Sequence, residues 1–296
     1  QLFRFLQALG GSAGPVLGRA IIRDIYTPRE AAKILALLAS IMALAPAVAP
    51  TLGGLMVGGL SWHWIFIAMG GYALVMAAVT AFGIPEPLKP EYRQPLRLCH
   101  LFANYRRIST DASFIGYTLT NAAIYGGLFA FLSGASFVLI DVLGVQPEHF
   151  GFYFAAIVVG YIAGNLGSIR LARYLGPDQI LFYGLVTALA GGAIMALLAY
   201  QQVYSPWAVM IPQAIFMAGT GLVLPQCMAG ALANFPTMAG SASALFGFIQ
   251  MSAAAIAGAI VGALHNGTPL VMATVIATCA GLAMIGYLLL VQRYPA

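Results

Sequence analysis

Nine stretches of this 296-residue chain are long and apolar enough to cross a lipid bilayer, which leaves few other ways for it to fold. They run over residues 1–20, 34–60, 63–84, 114–140, 150–169, 180–200, 207–232, 240–264 and 268–291. A hydrocarbon core about 30 Å thick is spanned by roughly 20 residues of α-helix. Lipid supplies no partner for backbone N–H and C=O groups, so segments of this length are expected as helices. The expected class is therefore an all-α membrane protein. Hydrophobic residues make up 61% of the chain and Asp, Glu, Lys and Arg only 7%. A soluble domain of this size could not hide that much apolar surface.

The segments between the spans alternate in charge. Arg19, Arg23, Arg29 and Lys33 bracket the first turn, and Lys89, Arg93, Arg97, Arg106 and Arg107 lie in 85–113. Arg170, Arg173 and Arg293 complete a set of twelve on one side, out of thirteen Lys and Arg in all. The opposite turns, 61–62, 141–149, 201–206 and 265–267, contain no Lys or Arg. Cytoplasmic loops keep an excess of Lys and Arg, so the basic side is read as the cytoplasm and the carboxy-terminus is placed there. The net charge of +5 is then an insertion signal and gives no reason to expect nucleic acid as a partner.

An odd number of spans puts residue 1 outside. Arg4 and Arg19 are 15 residues apart, about 22 Å of helix, so the outer end of this span is expected to begin before residue 1. The expectation is a fragment lacking an odd number of upstream spans, three being the economical number. Residues 85–113 divide the chain: Pro85, Pro87, Pro90 and Pro95 give an extended start, followed by a basic, amphipathic stretch over 98–108. Three spans precede this linker and six follow, so three restored spans make two six-helix halves. The expected domains are 1–84, the second half of an amino-terminal bundle; 85–113, a cytoplasmic linker; and 114–296, a carboxy-terminal six-helix bundle.

Particular residues narrow the class further. The first span carries Arg4, Gln7 and glycines at 10, 14 and 18, which share one face and admit another backbone closely. Arginine in the outer half of the bilayer costs several kcal/mol unless it faces water or a partner, so Arg4 is placed at a cavity with Gln7 near it. The second span holds Pro46 and Pro50, which each remove a backbone donor and bend the helix. Gly54 and Gly58 follow as a slim packing face. In the fourth span, Tyr117, Asn121, Tyr125 and Phe129 recur every four residues and form one stripe. Burying an amide against lipid is costly, so this stripe is expected to face protein or a water-filled cavity. Gln213 with Phe216 and Met217, Gln226 beside Pro225, and Gln250 beside Phe246 are further candidates for a cavity wall, because methionine and aromatic surfaces adapt to differently shaped apolar ligands.

Arg4-x-x-Gln7-x-x-Gly10 resembles the fourth-helix motif of the major facilitator superfamily. Pro46 followed by Ala49-Pro50-Thr51-Leu52-Gly53-Gly54 resembles the fifth-helix signature of its proton-coupled drug exporters, in the doubled Ala-Pro form of the bicyclomycin and chloramphenicol resistance (Bcr/CflA) type. Ala8 and Ala49 stand where the motifs usually have glycine; both remain small. The turn from Gly167 to Pro177, with Arg170 and Arg173, resembles a degenerate second copy of the superfamily's loop between helices two and three.

The resemblance implies helices four to twelve of a twelve-helix fold, working by alternating access as a monomer when full length, in a bacterial inner membrane. It implies export of small, largely apolar drugs in exchange for protons, with Arg4 serving proton coupling and Pro46, Ala49, Pro50, Gly53 and Gly54 forming the antiporter motif. It also implies that Gly160, Gly164 and Gly167 pack against the Pro46/Pro50 helix across the two halves. The visible spans contain no acid at mid-membrane, so a proton-carrying carboxylate is expected upstream. An importer or facilitator of a small metabolite, and a non-transporting scaffold or sensor, are the rival classes.

Enzymatic chemistry finds no foothold. His63, His149 and His265 lie at outer turns and His100 in the linker, while Cys99, Cys227 and Cys279 are scattered. The sequence holds no metal spacing, catalytic triad or phosphate-cradling glycine loop, and no cofactor is expected.

Overall fold

The computed structural model describes residues 2–26, 30, 34, 48–49, 52–54, 56, 61–83, 104–235 and 238–293. These residues are helical apart from short turns. Two compact units divide between Leu96 and Arg97, within the proline-rich and basic stretch.

The first unit contains α1 (Leu2–Ile25) and α2 (His63–Gly83). The second contains α3 (Ala112–Ser136), α4 (Pro147–Leu171), α5 (Pro177–Tyr200), α6 (Pro206–Ala233), α7 (Ala239–Leu264) and α8 (Leu270–Gly286). Wider π-helical turns extend α3 through Phe137–Val142 and α8 through Tyr287–Val291. Among the described residues seven helices, α2 to α8 with these extensions, have the length and apolarity to cross a membrane. The helix α1 covers the expected first span and carries Arg4, Arg19, Arg23 and Asp24, which lower its apolarity. The expected span 34–60 lies almost wholly outside the described residues.

Local chemistry sets the helix ends. Asp111 caps α3, accepting the Phe114 N–H at 2.7 Å. Proline opens α4, α5 and α6, where the missing N–H costs nothing. Gly144, Gln202 and Gly267 take positive φ and reverse the chain in the turns between α3 and α4, α5 and α6, and α7 and α8. Along the spans, hydroxyls turn back to their own helix: Thr187 donates to the Tyr183 carbonyl and Thr278 to that of Thr274, each at 2.8 Å. No lipid group is then needed to satisfy them.

The second unit repeats a packing pattern. In its first three helices α4 and α5 both lean on α6, and in its last three α7 and α8 both lean on α3. The pairs α3–α6 and α5–α8 join the two triplets, so exchanging α3 with α6, α4 with α7 and α5 with α8 reproduces the set of contacts. This is the pattern of an inverted repeat. Small residues make it tight. A Cβ on Gly160 or Gly164 would strike the Ala214 or Ala218 carbonyl of α6, and one on Gly191 would lie 2.5 Å from Phe216 N. The α4 glycine face is therefore occupied by α6, and two backbones meet there because neither carries bulk. The expected packing of this helix on the Pro46/Pro50 helix falls on residues outside the described ones. On α7, Gly258 faces Ser133 Oγ, whereas Gly262 meets nothing within 4 Å.

Arg106, Arg107, Arg170, Arg173 and Arg293 are all exposed at the end of this unit where α3, α5 and α7 begin and α4, α6 and α8 finish. Large apolar residues such as Phe152, Val159 and Ile169 point out of its sides, the arrangement expected of a lipid-facing surface.

Candidate functional site

The polar residues of interest lie on α3 and α6, the two helices at the centre of the repeat. On α3, Asn121 is 1% exposed and its Nδ2 has no hydrogen-bond partner. The flanking hydroxyls of Thr118 and Thr120 are also buried and unpartnered. On α6, Gln213 is fully buried, and neither its Oε1 nor its Nε2 is bonded. Leaving a buried donor or acceptor unmade costs about 1–3 kcal/mol per group, so a fold rarely keeps such groups without a use for them.

The α3 stripe divides along its length. Tyr117 is 3% exposed, and its hydroxyl donates to Asp178 Oδ1 at 2.7 Å. Tyr125 and Phe129 are half-buried and pack ring against ring at 5.1 Å between centroids. Phe216 is fully buried, its ring filling the space that a side chain at Gly127 would take. Met217 is 6% exposed on the same face of α6 as Gln213. Gln250 on α7 is half-buried, beside buried Phe246 and exposed Met251. The Gln226 amide donates to Ser168 Oγ at 2.9 Å, joining α6 to α4.

In the first unit, Gln7 lies on an exposed part of α1. Arg4 is in the same helix, but its side chain lies outside the described residues, as do Pro46 and Pro50. Ala49, Gly53 and Gly54 are helical, and a Cβ on Gly53 would meet nothing within 4 Å.

A shallow groove of about 300 Å³ runs along α6 beside α4, lined by Trp207, Ile211, Ala214, Ile215 and Ala218 among others. Its walls are apolar, so it offers no directed hydrogen bond. The amides of α3 and α6 do.

Residues 1–259 match the family model described as Major Facilitator Superfamily. The chain belongs to the major facilitator superfamily. This superfamily member is 31% identical over 290 residues to the bicyclomycin resistance protein homolog of Haemophilus influenzae, covering 98% of the chain and 73% of that relative. It is 34% identical over 262 residues to the uncharacterized MFS-type transporter YdgK of Bacillus subtilis, covering 88% and 65%. It is 26% identical over 249 residues to the chloramphenicol resistance protein CraA of Acinetobacter baumannii, covering 84% and 60%. The chain thus spans between 60% and 73% of the length of these relatives. They place it with the bicyclomycin and chloramphenicol resistance type of the superfamily, as a multi-pass membrane protein.

Two features escaped sequence reasoning. Asp178 carries no assigned role in the sequence, yet its side chain accepts the Tyr117 hydroxyl. Tyr287, in the last turn of the last span, donates to the Asp178 carbonyl at 3.3 Å. The available signal was an acid at the first turn of a span whose neighbouring spans each carry a tyrosine near the same membrane face.

Proposed function

We propose that this protein exports small, largely apolar drugs by alternating access, in exchange for protons. The observation that carries the reading is the buried Asn121 Nδ2 and both ends of the buried Gln213 amide, left without hydrogen-bond partners on the two central helices of the repeat. A ligand that supplies a hydrogen bond to either one offsets a cost the empty protein bears. Gln7, Tyr117, Tyr125, Phe129, Phe216, Met217 and Gln250 belong to the proposed substrate surroundings. The resistance names of the relatives support a drug as cargo.

In this reading the chain supplies nine helices of a twelve-helix fold: residues 1–84 complete an amino-terminal bundle, 85–113 form a cytoplasmic linker and 114–296 form the second bundle. The protein sits in a bacterial inner membrane as a monomer, with its carboxy-terminus in the cytoplasm. The two bundles rock about a mid-membrane site. Pro46, Ala49, Pro50, Gly53 and Gly54 set the shape of the helix that seals the closed side. Arg4 tunes or pairs with a proton-carrying carboxylate upstream of residue 1.

Efflux of labelled chloramphenicol-like and bicyclomycin-like compounds from cells producing the complete protein tests the reading. Efflux that stops when the proton gradient is collapsed is the expected result. Accumulation down a gradient without proton movement overturns export and favours a facilitator.

A further inference from the structure

Tyr117 is the point where four helices meet. Its hydroxyl donates to Asp178 Oδ1 on α5 at 2.7 Å, and the Tyr287 hydroxyl at the end of α8 donates to the backbone oxygen of the same Asp178 at 3.3 Å. Its ring lies against Gly230 of α6, where a Cβ would come within 2.6 Å of Cε1 and Cζ. The acceptor is held in place from its own side. Pro177 starts α5, and the Gly176 N–H donates to Gln179 Oε1 at 3.3 Å, closing the turn that presents Asp178. The Tyr287 ring packs on Phe182 at 6.0 Å between centroids.

This cluster sits at the basic end of the bundle, one helical turn from Asn121. A phenol bonded to a carboxylate is a charge-assisted hydrogen bond, roughly twice as strong as a neutral one. It acts on α3 from the side, where it resists rotation about the helix axis. The cap from Asp111 holds only the first turn. Rotating α3 by one residue's worth, about 100°, would carry Asn121 off the face it now occupies. A polar site whose supporting contacts are loose by even about 1 Å loses most of its affinity.

We propose that Tyr117 and Asp178 are positioning residues for transport: their bond fixes the rotation of α3 so that Asn121 faces the substrate, and neither residue touches the substrate itself. This rests on the export reading and refines its substrate set, moving Tyr117 from contact to support.

The test uses the complete protein with Tyr117→Phe, Asp178→Ala, their double variant, Asp178→Asn, and each single change in an Asn121→Ala background. Labelled chloramphenicol is the efflux probe, at matched protein levels. Tyr117→Phe and Asp178→Ala are each expected to raise KM about fivefold, and the double variant no further. Asp178→Asn keeps an oxygen that accepts from the phenol and stays within about twofold of the parent. In the Asn121→Ala background neither change adds anything. Amide hydrogen exchange in the purified protein gives a readout free of substrate: protection over residues 113–121 falls in Tyr117→Phe and Asp178→Ala and is kept in Asp178→Asn.

Multiplicative losses in the double variant overturn the proposal, as does a KM rise confined to Tyr117→Phe or an effect that persists without Asn121. If the parent protein moves no drug, the export reading fails on its own, and unchanged exchange in all variants overturns the tie separately.

Discussion

At the scale of the residue, the molecule keeps costs that a purely structural protein would shed. Gln213 is the plainest case, with both ends of a fully buried amide unbonded. Replacing it by leucine removes the unmet polar group at nearly constant volume. Gln213→Leu is expected to stabilise the purified protein by about 1 kcal/mol in detergent unfolding. The same change is expected to raise the KM for drug efflux about tenfold, equal to ~1.4 kcal/mol of lost binding. Unchanged KM with raised stability would remove Gln213 from the substrate path. Arg4→Ala belongs to this scale too: proton-coupled efflux is expected to vanish while protein level holds, and retained coupling removes Arg4 from the mechanism. Asn121 and Gln213 stand out in the sequence because an amide in an apolar run is conspicuous whatever its neighbours are, and both are buried. Sequence reasoning missed the Asp178–Tyr117 bond because two residues 61 positions apart, each ordinary near a membrane face, become significant only when helices are packed.

At the scale of the element, α6 is clasped from two sides by backbones. Gly160 and Gly164 of α4 admit its Ala214 and Ala218 carbonyls, and Gly184 and Gly191 of α5 admit its opposite flank. Gly164→Val is expected to cost about 1–3 kcal/mol through forced separation of α4 and α6, read as a lower melting temperature. Gly262→Ala is the control: nothing lies within 4 Å of the new methyl, so stability stays within about 0.5 kcal/mol. The helices themselves were legible, since runs of about 20 apolar residues bounded by proline, glycine and arginine admit few other readings. Their partners were not. Glycines four apart on 160 and 164 announce a close contact without naming the neighbour, and every span in this chain is apolar enough to qualify. The wider π turns at Phe137–Val142 and Tyr287–Val291 left no sequence signal, being helix ends that settle on neighbouring helices of the bundle.

At the scale of the whole molecule, charge placement predicts an orientation and packing gives the repeat. A cysteine at Gln201 is expected to react with an impermeant maleimide on intact cells, and one at Arg107 only after permeabilisation; the reverse pattern inverts the topology. Proline density and basic residues interrupt the apolar runs over 85–113, and the two compact units divide within that stretch. The inverted relation between α3–α5 and α6–α8 was not legible in the sequence, since it is carried by which helices touch and leaves only faint traces in residue identity. The glycine seams along α6 also constrain how such a protein can diversify. Carbonyl oxygens stand where side chains would grow at Gly160 and Gly164 of α4, Gly191 of α5, and Gly219 and Gly221 of α6, so the two flanks where α6 meets its neighbours are closed to change. If the proposed export is right, shifts in the range of compounds expelled are expected on the strip bearing Gln213 and Met217, and resistance variants sampled from natural populations are expected to cluster there.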